Sequence, residues 1–316
     1  MKYRQLGRSG VRVSEISLGS WMTYGGYVEN DQSEKIIDRA YEAGINFFDT
    51  ANAYMRGKAE EVVGQALSKY PRESYVLATK VWAKMGEGPN DRGLSRKHIM
   101  EQCEASLKRL QMDYIDLYYC HHFDETTPME ETLRAMDDLV RQGKVLYIGV
   151  SNWTAAQITE AVGIADRRLL DRIVVNQPAY NMLNRAIEQE LMPQCAKFGI
   201  GQVVYSPLAQ GVLSGKYKSA DDMPKGSRAE HSQQTIYFKK YLTEENLHKI
   251  EKLGQVAADL DLTLTQLALA WILRDARVSS AIIGASRPEQ IDDNVKASGV
   301  ELSADVLEQI ESILNQ

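Results

Sequence analysis

The chain has 316 residues, 44% of them hydrophobic and 25% charged, with 37 lysines and arginines against 43 aspartates and glutamates. A net charge of −6 removes the electrostatic attraction on which nonspecific nucleic-acid binding and polybasic membrane association depend, so no nucleic-acid partner is expected. No run approaches the ~20 apolar residues needed to span a bilayer, so no membrane insertion is expected either.

Residues 3–13 read as a hairpin turning at Gly7-Arg8-Ser9-Gly10. Eight short β-type runs then follow: Ile16-Ser17-Leu18, Asn46-Phe47-Phe48, Tyr75-Val76-Leu77, Ile115 to Tyr119, Leu146-Tyr147-Ile148, Ile173-Val174-Val175, Gln202-Val203-Val204 and Ala281-Ile282-Ile283. Most are apolar on both faces, as parallel strands covered by helices are, and until the last they recur about every 30 residues, the length of a strand plus a helix. Helical periodicity fills 32–42, 59–69, 96–110, 129–141, 155–164 and 186–198, and 264–273 reads as a further barrel helix. The predicted fold class is therefore α/β, a (β/α)8 TIM barrel. The N-terminal hairpin becomes a plug, 207–240 a long loop after strand 7, and 304–314 an extra C-terminal helix. No linker or low-complexity tract divides the chain, which predicts one domain over 1–316.

The three cysteines, Cys103, Cys120 and Cys195, form no C-x-x-C pair. Met1 leads directly into Lys2-Tyr3-Arg4 with no apolar leader, and together these features predict a reducing, cytoplasmic setting.

The chemistry stands at the C-terminal ends of the runs: Ser20-Trp21, Asp49, Lys80, His121, Ser151-Asn152, Gln177, Tyr205-Ser206 and Gly284-Ala285-Ser286-Arg287. In a barrel all of these converge on the face that carries the active site. Asp49, Tyr54, Lys80 and His121 make a titratable group in which an ammonium at Lys80 is expected to lower the pKa of Tyr54, with Asp49 holding that ammonium charged. His121 either orients a carbonyl oxygen or shares the proton transfer. No metal is expected: His121 and His122 are adjacent, so on a strand they point to opposite faces. Gly211-Val-Leu-Ser-Gly215-Lys216 falls one residue short of a P-loop. A proton donor with neither metal nor nucleophile calls for a partner that changes the oxidation state of the substrate, and the remaining ends suit a nicotinamide. Asn152 and Gln177 offer amides for a carboxamide, and Tyr205 offers a ring for stacking. Ser286 and Arg287, ahead of a helix opening at Pro288, offer a phosphate seat.

Phe48-Asp49-Thr50-Ala51-Asn52-Ala53-Tyr54, Ala78-Thr79-Lys80-Val81, Asp116 to His121, Gly149-Val-Ser151-Asn152, Asn176-Gln177-Pro178, Tyr205-Ser-Pro-Leu208 and Ile283-Gly284-Ala-Ser-Arg287 stand in order along the whole chain. In these motifs the chain resembles an aldo-keto reductase. The resemblance implies hydride transfer from NADPH to a small aldehyde or ketone, the tetrad Asp49, Tyr54, Lys80 and His121, and Tyr54 as proton donor. Trp21 to Gly26, Pro207 to Tyr217 and Ser227-Arg228 look most like the branch containing voltage-gated potassium-channel β subunits and their bacterial enzyme relatives. The cofactor positions so implied are Ser20, Trp21, Asp49, Ser151, Asn152, Gln177, Tyr205, Ser206, Pro207, Leu208, Ala209, Gln210, Gly211, Lys216, Arg228, Gly284, Ser286, Arg287, Gln290, Asp293 and Asn294. Lys216 and Arg228 would sit on the pyrophosphate or adenosine side, Gln290, Asp293 and Asn294 by the adenine, and Ser286 and Arg287 near the 2′-phosphate.

Trp21, Tyr54 and His121 are the expected substrate contacts, and Trp82 reads equally as wall or core. Substrate choice is expected to lie in loops 82–93 and 207–240. His98, His231 and His248 read as solvated. Channel β subunits often carry an N-terminal inactivating extension absent here, and some have asparagine where this chain has His121; both differences favour an enzyme over the rival reading, a redox-sensing interaction protein. The branch also brings a homo-oligomer, a tetramer, into consideration. A Schiff-base lyase using Lys80 is disfavoured because Asp49 should keep that amine protonated.

Overall fold

The computed structural model describes residues 1–21, 23–26, 28–217 and 238–316. Strands β1 (Tyr3–Gln5) and β2 (Arg12–Ser14) pair antiparallel, with Tyr3 opposite Ser14. Eight parallel strands follow: β3 (Ile16–Gly19), β4 (Phe47–Asp49), β5 (Val76–Val81), β6 (Ile115–Cys120), β7 (Val145–Ser151), β8 (Val175–Gln177), β9 (Gly201–Val204) and β10 (Val278–Ile283). They close into a barrel in the order β10-β3-β4-β5-β6-β7-β8-β9. The predicted fold class is the observed one.

The hairpin plugs the bottom of this barrel. Leu6 and Val13 are fully buried among Phe47, Val76, Leu117, Val175 and Val203, the inward-facing side chains of five strands. The turn fits because Gly7 adopts φ +60° and has no side chain; a Cβ there would lie 2.5 Å from the carbonyl oxygen of Gly199 and 2.6 Å from the nitrogen of Gly201.

The outer layer comprises α1 (Asn30–Glu42), α2 (Lys58–Leu67), α3 (Arg96–Leu110), α4 (Met129–Arg141), α5 (Ala155–Arg168), α6 (Leu191–Phe198), α7 (Glu244–Asp259), α8 (Leu264–Leu273), α9 (Pro288–Asn294) and α10 (Ala304–Leu314). Thr154 and Thr263 cap α5 and α8 in full capping boxes with Gln157 and Gln266. In α8 every side chain from Gln266 onward is buried, so it lies inside the helical layer and not on its surface. The extra helix α10 packs against α7. Among the described residues no single helix is long and apolar enough to cross a membrane; α7 and α8 pass that test only as a pair, and they are bent by 89°.

Three expectations need correction. Several strands run further toward their C-terminal ends than the apolar runs suggest, because Thr79, Lys80, Ser151, Asn176 and Gln177 are polar but still pair in the sheet. The predicted helix over 186–198 is broken into a turn at Ala186–Glu188 and then α6. Pro193 accounts for this, since proline fits the first turn of a helix but would collide with the carbonyl four residues earlier if the helix began upstream. Helix α7, capped by Thr243 accepting from the backbone N–H of Asn246, has no counterpart among the predicted elements. Of the long loop after strand 7, residues 218–237, including Pro224, Gly226, Ser227, Arg228 and His231, lie outside the described residues.

Candidate active site

The C-terminal ends of β4, β5 and β6 deliver Asp49, Lys80 and His121 to one place. Lys80 is fully buried, and its ammonium donates to Asp49 Oδ1 at 2.5 Å, to the carbonyl of Thr50 at 2.7 Å and to the Tyr54 hydroxyl at 3.1 Å. Gln177 Nε2 donates to the second oxygen of Asp49 at 2.8 Å. Each proton of the ammonium therefore has an acceptor, and both carboxylate oxygens are bonded, which is what a buried charge pair requires.

Tyr54 opens a tight turn, Tyr54–Gly57, that feeds α2. Met55 and Arg56 hold left-handed backbones at φ 49° and 53°, and Gly57 follows at φ +93°. Non-glycine residues in this region cost about 1–3 kcal/mol each and cluster at functional sites. The rings of Tyr54 and His121 meet edge to face with centroids 5.7 Å apart.

The protonation states follow from burial and these neighbours. Burial pulls the Lys80 pKa down, but the charge of Asp49 and the hydrogen bonds outweigh it, so the net shift is upward and Lys80 stays cationic. For Tyr54 burial is the largest influence and raises the pKa above its ordinary 10.0; Lys80 opposes this without reversing it. Lys80 does act to lower the Tyr54 pKa, as expected, but desolvation of the phenolate outweighs it, so the net shift is upward and the hydroxyl keeps its proton at neutral pH. His121 is pushed well below its ordinary 6.5, first by burial and then by the charges of Lys80 and His122, and is neutral. Its Nδ1 is buried without a hydrogen-bond partner among the described residues.

His121 and His122 do not point to opposite faces. β6 ends at Cys120, so strand alternation no longer applies, and the two rings stack 5.1 Å apart at 17°. His98, expected to be solvated, is 1% exposed in α3. Burial lowers the pKa of His98, His121 and His122 alike. Unfolded, each takes up a proton as the pH falls through about 6.5, while the folded chain resists. Their contribution to stability is full above that pH and is lost as the pH falls toward the lowered folded values. Thermal melts at successively lower pH should show Tm declining from about pH 6.5 downward; a Tm that stays level or rises there would refute this.

Above the tetrad opens a cleft of about 1420 Å³. Trp21, Asp49, Tyr54, His121, Ser151, Asn152, Gln177, Tyr205, Ser206, Pro207, Leu208, Gln210, Gly211, Lys216, Gly284, Ser286, Arg287, Gln290, Asp293 and Asn294 all line it. Three predicted residues do not. Lys80 lies beneath Asp49 and Tyr54; Ser20 is buried and donates to Thr50 Oγ1 at 2.8 Å; the Ala209 methyl faces the core. Arg228 lies outside the described residues.

The amides expected to be open toward a ligand are partly committed within the protein. Gln177 gives its NH2 to Asp49, and Asn152, at φ 58°, donates to Ser151 Oγ at 3.1 Å and accepts from the Tyr205 hydroxyl at 2.9 Å. Gln290 Oε1 accepts from the Ser286 backbone N–H at 2.8 Å, and Asp293 accepts from Gln266 Nε2 at 2.7 Å, which ties α8 to α9. Arg287 is exposed and stands at the N-cap of α9, with Pro288 behind it.

Sequence reasoning missed Thr23, Gly25, Met55, Arg56, Lys58, His122, Lys240, Tyr241 and Thr265 on the cleft wall. Met55, Arg56 and Lys58 were findable, since side chains just after Tyr54 border the site. The others come from loops and helix ends whose position only the folded chain defines. Loop 82–93, expected to bear on substrate choice, places no residue on the wall, though Trp82 packs against the His122 ring of that wall with centroids 4.6 Å apart.

The family model for the aldo/keto reductase family matches residues 15–315. The chain belongs to this family. Membership implies oxidoreductase activity, and the family generally uses NAD(P)H. Among curated relatives, a probable voltage-gated potassium channel subunit beta of Arabidopsis thaliana is 44% identical over 99% of this chain and 97% of its own length. One of the same description from Oryza sativa subsp. japonica is 42% identical over the same shares. A putative voltage-gated potassium channel subunit beta of Schizosaccharomyces pombe is 42% identical over 99% of this chain and 93% of its own.

Proposed function

We propose that this aldo/keto reductase reduces small aldehydes or ketones with NADPH, Tyr54 supplying the proton. The observation that carries the reading is the Lys80 ammonium bonded at once to Asp49, the Thr50 carbonyl and the Tyr54 hydroxyl. When bound, NADPH supplies the hydride for the carbonyl carbon. Tyr54 donates its proton to the carbonyl oxygen; its raised pKa keeps that proton available, and Lys80 stabilises the phenolate left behind. Asp49 holds Lys80 charged. His121, neutral and beside Tyr54, offers the carbonyl oxygen a hydrogen bond without competing as an acid.

The residues present suit the cofactor. Lys216 and Arg287 put positive charge on the wall of the cleft in a chain of net charge −6, which an anionic dinucleotide requires. Ser286 and Arg287 would hold the 2′-phosphate, Gln290, Asp293 and Asn294 the adenine side, 206–211 the chain of phosphates, and Ser151, Asn152, Gln177 and Tyr205 the nicotinamide. Consumption of NADPH with a panel of aldehydes tests the reading, and a panel without turnover would overturn it. Arg287→Ala should weaken NADPH about 10–100-fold, since a hydrogen bond to a charged group contributes about 1.5–3 kcal/mol, with little change for NADH. Titrations in which both cofactors weaken equally would place the phosphate contact elsewhere.

The names of the three relatives favour one second reading, a redox-sensing β-subunit-type protein that uses the same residues and turns over slowly. Single-turnover oxidation of bound NADPH separates the two. Rapid consumption followed by release of the product cofactor fits the enzyme, and a retained cofactor fits the sensor.

A further inference from the structure

Glu60 is a fully buried carboxylate that the proposed chemistry does not use. It stands in the first turn of α2, six residues after Tyr54, and its two oxygens go separate ways. Oε1 accepts from the Thr79 hydroxyl at 2.5 Å, and Oε2 accepts from Arg109 Nε, on α3, at 2.6 Å. Thr79 directly precedes Lys80 on β5; successive side chains alternate, so Thr79 faces the helical layer while Lys80 faces the barrel interior. Arg109 packs against the turn that carries Tyr54 at Gly57. A Cβ on Gly57 would come within 2.6 Å of Arg109 Cδ and 2.8 Å of its Nε, so the guanidinium stem occupies the space a side chain would need. Arg109 is itself steadied by a bond from Nη2 to Ser106 Oγ at 3.2 Å.

The turn needs such a support. Met55, Arg56 and Gly57 hold three successive left-handed backbones, a conformation that persists only where its surroundings enforce it. A carboxylate is costly to bury and offers nothing to packing that an apolar side chain of equal size would not. Here one bond runs to the strand that carries Lys80, and the other to Arg109, which packs against the turn that carries Tyr54.

We propose that Glu60 is a positioning residue that sets the 3.1 Å contact between Lys80 and Tyr54, holding the Lys80 strand through Thr79 and the Tyr54 turn through Arg109. The inference rests on Tyr54 being the proton donor.

Glu60→Gln keeps the shape of the side chain while removing the charge that holds Arg109. It should lower kcat for aldehyde reduction about 10–100-fold, the scale of a small misplacement of reacting groups, with the Kd for NADPH unchanged. The alkaline limb of the kcat profile should move to higher pH, because a more distant Lys80 opposes the burial of the phenolate less. Thr79→Val, nearly isosteric, cuts the strand arm alone and should show the same pattern more weakly; it carries the test if Glu60→Gln does not fold. Wild-type kcat per folded molecule in both variants, with a lowered Tm alone, would reduce Glu60 to a packing role and overturn the proposal. Tyr54→Phe serves as the control. If that variant is inactive while Glu60→Gln is wild type, only the positioning role fails; if it stays active, the assignment of the proton donor fails.

Discussion

Replacing Tyr54 by phenylalanine is expected to lower kcat for aldehyde reduction by about 10²–10⁴-fold, the usual contribution of a positioned general acid, while NADPH binds as before. The change removes one hydroxyl. Lys80 keeps its bonds to Asp49 and the Thr50 carbonyl, so the ion pair and the fold beneath it should survive. In the unaltered protein the pH dependence follows from the direction of the Tyr54 shift. A phenol whose pKa lies above 10.0 is protonated throughout the neutral range, so reduction should be insensitive to pH there and decline only on the alkaline side as the proton is lost. Oxidation of an alcohol, which needs the phenolate, should rise over the same alkaline range. Substantial reduction by the phenylalanine variant, measured as NADPH consumption at saturating aldehyde, would show that the proton comes from elsewhere.

The second large effect is expected from Lys80→Met, which strikes stability and turnover together. Methionine matches the length of the side chain but leaves the carboxylate of Asp49, 3% exposed, with the amide of Gln177 as its one remaining hydrogen-bond partner among the described residues. Breaking a buried ion pair from one side costs about 3–5 kcal/mol because the remaining charge is stranded in a poorly solvating interior. Thermal or denaturant unfolding should register that loss directly. Turnover in the molecules that remain folded should also fall, because the phenolate formed on Tyr54 loses its neighbouring cation while burial still disfavours it. A Lys80→Met protein as stable and as active as the parent would mean that the buried contacts around Lys80 support neither the fold nor the chemistry. Loss of stability with kcat intact would confine Lys80 to a structural role.

These expectations rest on side chains that were legible in the sequence to different degrees. Asp49, Lys80 and His121 stand out because each interrupts or ends a short apolar run, and in a closed parallel barrel every such end opens on the same face. Their convergence follows from the fold class. The sign of the Tyr54 shift does not, because it depends on how far burial of the phenolate exceeds the attraction of one ammonium, and burial is a property of the packed chain. The relation of His121 to His122 escaped for a related reason. A period-two rule applied to two residues beyond the last paired one predicts opposed rings, whereas the chain has left the sheet at Cys120 and the rings stack.

Local pattern by itself determined the barrel, the plug and the set of polar residues at its C-terminal rim, because strand and helix periodicities and turn residues act over short distances and repeat eight times along this chain. Only the tertiary structure decided which of those residues face the cleft and which lie under it. Ser20 and Ala209 are turned into the packed layers, Lys80 is sealed beneath Asp49 and Tyr54, and loop 82–93 contributes no residue to the cleft wall. The coupling of Glu60 to Thr79 and Arg109 also lay beyond sequence reading, since its partners are 19 and 49 residues away and meet only when α2 packs between β5 and α3. Periodicity specifies which face of an element is buried, but contacts between elements depend on the closure of the whole barrel, and the protonation states at its rim depend on those contacts.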